Sequence, residues 1–394
     1  MITGKDAMAA RPARDTRALR RTVCLTAACA LFAAVSPSAA LAATASVQSG
    51  VLVYAAGAGE ANAITFEPAF FAVGAASIQD SAPLTAGPGC ESISATKVDC
   101  QLAGVTSASF MLGDGADQFT LSTLMLPVVV NGGPGDDTLG PAAATPAVLS
   151  GDAGNDTING GDGNDQLSGG DGNDTIQGQP GDDRIEGGAG NDNILGDVPV
   201  AGSAVPGADT ISGGAGNDRI SGQGGNDAID GGTGNDSVDE EYSGPNSGGG
   251  ADTISGGAGR DQVLYHFRTS RLRVSLDGRP NDGEAREGDN VRPDVENVVG
   301  AGGAPNVLSG SSRANELRGG KSADRISGGG GGDRLFGFGG RDSLYGGAGN
   351  DRLYANDCQG DLLNGGPGRD NAVVDIGRVD RMLSIERRLR ARCA

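Results

Sequence analysis

The sequence has no tryptophan, a single histidine (His266) and only 4% aromatic residues, so the large side chains that fill a broad core are nearly missing. With one histidine an H-E-x-x-H metal pair is excluded, and no G-x-S-x-G nucleophile turn occurs. Basic residues are scarce where acid is densest. Residues 43–255 hold 29 acidic and three basic residues, Lys97, Arg184 and Arg219. A general basic surface for nucleic acid or for an anionic membrane is therefore disfavoured. No apolar run reaches the ~20 residues of a membrane helix. What the chain has instead is glycine, 71 of 394 residues, and a formal net charge of −20. So polar a composition suggests disorder, but the order in which the glycines occur argues for a fold.

The N-terminus reads as an export signal over residues 1–42. Lys5, Arg11, Arg14, Arg17, Arg20 and Arg21 precede an apolar run from Val23 to Val35, and Ala40-Leu41-Ala42 suggests cleavage before Ala43. A twin-arginine reading of Arg20-Arg21 and a lipoprotein reading of Cys29 fit less well. The expected mature chain is secreted and has no transmembrane segment.

From Gly151 the sequence runs GDAGNDTIN, GGDGNDQLS, GGDGNDTIQ. This nine-residue period continues at Gly178, Gly187, Gly213, Gly222, Gly231 and Gly256, and returns at Gly319, Gly328, Gly337, Gly346 and Gly365. Glycines at positions one, two and four permit a tight turn. The last three residues of each copy make a short strand whose middle residue points inward, as at Ile158, Leu167, Ile176, Ile185, Ile194, Ile220 and Ile229. Two copies make one coil, and stacked coils pair their strands in parallel ~4.8 Å apart. The expected fold class is therefore all-β, a parallel β-roll or β-solenoid with a small N-terminal β cap.

Position six is aspartate in nearly every copy. Alternate copies share an edge, so Asp156, Asp174 and Asp192 would stack on one side and Asp165 and Asp183 on the other. Stacked carboxylates repel unless a cation lies between them. Ca²⁺ takes six to eight oxygen ligands and readily combines carboxylates with backbone carbonyls, whereas zinc would want His or Cys. The metal-ligand candidates are Asp117, Asp137, Asp156, Asp165, Asp174, Asp183, Asp192, Asp209, Asp218, Asp227, Asp236, Asp252, Asp261, Asp324, Asp333, Asp342, Asp351 and Asp370. At the N-terminal end Asp117, Asp137 and Asp156 would occupy one edge alone, because the halves containing Val128 to Val130 and Val148-Leu149 carry no aspartate.

Two insertions, Gly196 to Ser203 and Glu240 to Asn246, keep the phase and emerge on the same edge, either as a small partner surface or as tolerated loops. The loop with Asn281, Asp282, Glu284, Glu287 and Asp289 reads as a solvated turn, with an extra calcium site as the alternative. In the second array Arg325, Arg334, Arg341 and Arg352 adjoin the aspartates and should weaken calcium binding, while Asn306 and Asn315 replace aspartate and leave their half-sites empty. Cys90, Cys100, Cys358 and Cys393 allow three pairings; Cys90–Cys100 and Cys358–Cys393 are favoured over free thiols. The basic tail reads as a cap on the last coil, with a membrane-surface helix as the alternative.

The organisation expected is a signal peptide (1–42), a β cap (43–111), a first array (112–264), a non-repeat β segment (265–300), a second array (301–375) and a basic cap (376–394). The G-G-x-G-x-D-x-U-x pattern resembles the secreted RTX, or haemolysin-type, calcium-binding repeat proteins. The resemblance implies a β-roll whose position-six aspartates help hold several Ca²⁺ between coils. The chain departs from exported toxins of that class in its N-terminal signal and in lacking a pore-forming region. The reading is a non-catalytic, calcium-binding structural or adhesive protein, with folding coupled to the metal. Candidate partners beyond calcium are a cell-surface glycan or another extracellular protein. The alternative is a polysaccharide lyase or epimerase working from the side of a solenoid, for which no acid–base cluster is recognisable.

Overall fold

The computed structural model describes residues 42–68, 74–121, 126–140, 145–198, 206–240, 250–375 and 380–391. The export signal, the core of both insertions and Cys393 lie outside these residues. The nine-residue period becomes a flattened spiral. On one face Thr157–Asn159, Thr175–Gln177 and Asn193–Leu195 pair in parallel, with Ile158, Ile176 and Ile194 in register. On the other, Gln166–Asp171, Arg184–Ala189 and Thr210–Ala215 do the same, stacking Leu167, Ile185 and Ile211. These residues are all buried, so one inward side chain per strand supplies the whole core of each coil. No described residue is helical.

Glycine is required where successive turns touch. Gly172 sits at φ 145°, and a Cβ there would fall on the carbonyl oxygen of Gly154, one coil earlier. The same close approach recurs at Gly181, Gly190, Gly216 and Gly234, which is why these turns of the first array have no room for a side chain at that position.

Parallel stacking reaches back beyond the obvious repeats. Val51–Ala55 pairs with Ser107–Met111, and Ala63–Pro68 pairs with Gln118–Leu121. Antiparallel strands close this end: Ala43–Gln48 lies against Val51–Ala55, and Ala75–Gln79 runs between Ala63–Pro68 and Lys97–Gln101. Cys90 and Cys100 face each other across one such pair and form a disulfide. Cys358 is also disulfide-bonded. Four aromatic rings pack together here, with Phe110 on Tyr54, Phe66 and Phe119 at 6.0, 5.1 and 4.7 Å between ring centres. The space under the hairpins is wider than a coil, and rings fill it.

One face runs unbroken through Gln262–Leu264, Asn297–Val299 and Glu316–Gly320. The other is interrupted. Asn290–Val291 ends one sheet, whereas Leu272–Ser275, earlier in the chain, begins the next by pairing with Asn306–Ser309. The acidic loop between them is not the solvated turn expected from its composition: Asp282 and Asp289 are fully buried. The Asp282 carboxylate accepts the Ser275 N–H (2.6 Å) and the Val291 N–H (2.9 Å), stitching the two sheet ends together. The tail is not a helix either. Arg381–Leu383 and Arg387–Ala391 add one more parallel strand to each face.

Candidate metal centre

The position-six aspartates form two rows, each set by the stacking of turns. In row one the Oδ1 atoms of Asp137, Asp156, Asp174, Asp192, Asp218, Asp236 and Asp261 each accept the backbone N–H of the preceding aspartate at 2.7–2.9 Å, beginning from Asp117. In row two Asp165, Asp183, Asp209, Asp227 and Asp252 repeat the bond at 2.7–2.9 Å, the first of them onto Ala147 N–H. Row two thus starts later, as the missing aspartates near Val128 and Val148 imply. Asp209 and Asp252, which follow the two insertions, share row two.

One oxygen of each carboxylate is therefore satisfied; the other is not. The Oδ2 atoms of Asp117, Asp137, Asp156, Asp165, Asp174, Asp183, Asp192, Asp209, Asp218, Asp227, Asp236 and Asp261 are buried without a hydrogen-bond partner. In the second array the same holds for Asp333, Asp342, Asp351 and Asp370. An unpartnered buried acceptor is costly, and a row of them implies a ligand that only accepts from oxygen. No group of three or more His, Cys, Asp or Glu side chains converges among the described residues. The donor set is thus a carboxylate per turn plus turn carbonyls, hard oxygen ligands that suit Ca²⁺. A Cβ at Gly169 would fall on Asp174 Oδ2 and 2.5 Å from the Gly187 carbonyl oxygen, so glycine keeps that approach open.

Burial pushes the carboxyls up, and neighbouring carboxylates push them further: Asp183 and Asp227 to about 8, Asp137, Asp209, Asp333 and Asp342 to about 7. Without a cation these groups hold protons at a pH where free aspartate is fully ionised.

The rows contain acids that the glycine pattern did not reveal. Asp289 Oδ1 accepts Asp252 N–H at 3.2 Å, and Glu296 Oε2 accepts Asp261 N–H at 3.0 Å. Further on, Asp361 accepts from Asp342, Asp380 from Asp361, and Glu386 from Asp370. The signal that could have found most of them is an acid two residues before an aliphatic (Asp289-x-Val291, Glu296-x-Val298, Asp361-x-Leu363), with no glycine needed. Glu386 has only its spacing. An asparagine ladder was also missed: at position five, Asn155, Asn173, Asn191 and Asn217 Oδ1 accept the N–H of the next coil's asparagine at 2.7–2.9 Å.

Two candidates sit differently. Asp324 Oδ2 accepts Gly320 N–H at 2.7 Å, and Asp324 Oδ1 accepts from Asn306 N–H and Nδ2. Asp252 lies beside buried Glu240. The half-sites at Asn306 and Asn315 are closed by their own amides. Asn306 Nδ2 donates to the Ala301 and Ala304 carbonyls at 3.1 Å, and Asn315 Nδ2 donates to the Glu296 carbonyl at 3.1 Å. A side-chain NH₂ there meets the carbonyls that a cation would meet elsewhere. Asn306→Asp is accordingly expected to lower stability, in calcium just sufficient to fold the roll at neutral pH, by on the order of 2 kcal/mol, since it turns a donor among acceptors into another acceptor. Excess calcium should restore most of the loss, as read by thermal unfolding in the two conditions. Among the described residues no ion pair joins Arg325, Arg334, Arg341 or Arg352 to a row aspartate, and Arg334 pairs with Glu316 at 2.8 Å.

A family model for the RTX calcium-binding nonapeptide repeat matches residues 148–176, 168–198, 203–238, 246–264, 301–335 and 336–372. The chain is an RTX-type calcium-binding repeat protein. Its nonapeptides bind multiple Ca²⁺ ions, and its fold is the parallel β-roll of that repeat. No curated protein matches the chain. RTX repeat proteins are typically secreted, and the repeat family is generally non-catalytic. No helix among the described residues of the RTX roll is long and apolar enough to cross a membrane.

Proposed function

We propose that the protein is exported by its N-terminal signal and acts outside the cell as a calcium-stiffened, non-catalytic roll that adheres to acidic glycan. Its calcium ligands are the eighteen aspartates of the repeat, with Asp324 and Asp252 weakest, together with Asp289, Glu296, Asp361, Asp380 and Glu386. The observation that carries the metal assignment is the line of buried, unpartnered Oδ2 atoms in both rows.

Adhesion is supported by the outer face of the second array. Arg318, Phe336 and Tyr354 are in register on consecutive strands, and the Phe336 and Tyr354 rings stack at 4.3 Å and 5°. Phe338 stands beside them, 50% exposed, at φ 64°, in a position that the repeat normally gives to glycine. A bulky side chain there costs strain as well as exposed apolar area. These rings line a hollow of about 400 Å³ with Asn356 and Asp357. A second, of about 390 Å³, is lined by Arg260, Arg318 and Arg334 against two acids, Glu316 and Asp236, so three cations face two carboxyls. Flat rings fit sugar faces, and guanidinium groups bind carboxylates bidentately.

Calcium-loaded protein should bind oligogalacturonate and not neutral dextran. Phe338→Ala and Arg318→Ala should each weaken binding about tenfold, equivalent to ~1.4 kcal/mol, without changing calcium uptake. Equal retention of wild type and variants, or none by wild type, would refute the glycan reading. No cleavage or epimerisation of the polysaccharide is expected with or without calcium.

A further inference from the structure

The insertion that begins at Gly196 delivers an acid to row two that the nonapeptide itself does not supply there. Asp197 follows the strand Asn193–Leu195 and is only 5% exposed. Its Oδ2 accepts the Gly207 N–H at 2.9 Å, two residues before Asp209. Its backbone N–H reaches the Gly222 carbonyl at 3.3 Å. Its Oδ1 is buried and has no hydrogen-bond partner. The charge of Asp197 bears on three consecutive members of row two, Asp183, Asp209 and Asp227. A Cβ at Gly196, the residue before Asp197, would fall on Asp209 Oδ2, so the turn that carries Asp197 lies directly against that carboxylate, and both Asp197 Oδ1 and Asp209 Oδ2 are buried without a partner.

The second insertion provides an internal comparison. It brings Glu240 beside Asp252 in the same row, equally buried, but there the protein supplies its own cation. The Arg268 guanidinium lies 3.6 Å from Glu240 and 2.8 Å from Glu287. Asp197 has no such counter-charge: no ion pair reaches it among the described residues, and the acids near it, Asp209 and Asp182, only add repulsion. A buried pair of carboxylates with no internal cation calls for an external one.

We infer that Asp197 is an additional calcium ligand, sharing an ion with Asp209, and that this is the tightest calcium position of the first array. The inference rests on the reading that the row carboxylates hold calcium. Affinity at oxygen sites rises with the number of charged ligands, and this site has one more than its neighbours. The insertion then acts as a local anchor: the first ion to bind fixes the coils on either side of it, from which ordering can spread by neighbour contacts.

Calcium calorimetry on the full chain tests this with Asp197→Asn, and with Asp171→Asn, an exposed acid at repeat position three, as the control. Wild type should show a tight first ion, weakened about tenfold or more in D197N and unchanged in D171N. Asparagine retains an acceptor for Gly207 N–H and removes the repulsion. D197N should therefore keep at least as much residual β structure as wild type in chelator at neutral pH, yet gain less stability from calcium. A purely structural role would instead lower stability equally in both conditions. Superimposable titrations of D197N and wild type, an equal loss with and without calcium, or failure of D197N to fold in either condition would overturn the assignment. Absence of calcium uptake by wild type would sink the reading of the rows themselves, a different failure.

Discussion

Removing calcium at neutral pH is expected to abolish most of the β signal in far-ultraviolet circular dichroism, and a calcium titration should restore it cooperatively. The reason lies in the proportions of the coil. Each eighteen-residue turn of the spiral buries two aliphatic side chains, for example Leu167 and Ile176, and little else that is apolar. Against that stands the ordering of a glycine-rich backbone, which loses more conformational freedom than any other. Burying the row carboxylates without partners adds a further cost. Cations between turns reverse the sign of that last contribution, and because each coil contacts only its neighbours, ordering propagates along the roll. The half-point should fall near the 10⁻⁴–10⁻³ M range of extracellular calcium modules. A spectrum unchanged from chelator to about 10 mM calcium would contradict this.

Acid should partly replace calcium. Burial holds Asp137, Asp209 and Asp361 near 7 and Asp183 and Asp227 near 8 in the folded, metal-free chain, whereas unfolded aspartate titrates near ~3.9. The folded state binds more protons over that interval, so this contribution to stability is complete below about pH 4 and is lost as pH rises through about 7–8. The metal-free chain should therefore show more β structure at pH 5 than at pH 8. Calcium binding at pH 7 should release protons, and apparent affinity should fall as pH is lowered. Equal disorder at both pH values in chelator, or calcium uptake without proton release in calorimetry run in two buffers, would refute it.

The repeat itself was legible because its period and its chemistry coincide. Gly172 cannot carry a side chain, Ile176 must face inward and Asp174 must face the edge, so nine residues state their own geometry. Acids outside the glycine frame were harder to see. Asp361 and Asp289 belong to the rows because their strands pair with neighbours, although no G-G-x-G frame precedes them. The buried fate of Asp282 and Asp289 was misread for a related reason: local composition says solvated loop, but the loop is pinned between two sheet ends that only long-range pairing creates. Asn306 shows the converse, a substitution that looks like an empty half-site and proves to be one filled by the protein's own amide.

From the sequence alone came the all-β roll, the alternation of edges, the oxygen-rich metal chemistry and the pairing of Cys90 with Cys100, because each follows from spacing within a few residues. The tertiary structure decided which oxygen of each carboxylate remains unpartnered, where one face of the spiral breaks at Leu272–Ser275, and that Arg268 supplies the cation near Glu240 while no cation among the described residues pairs with Asp197. Those outcomes depend on which turns come to lie beside each other, and burial, unlike periodicity, is a property of neighbours that the chain brings from far away.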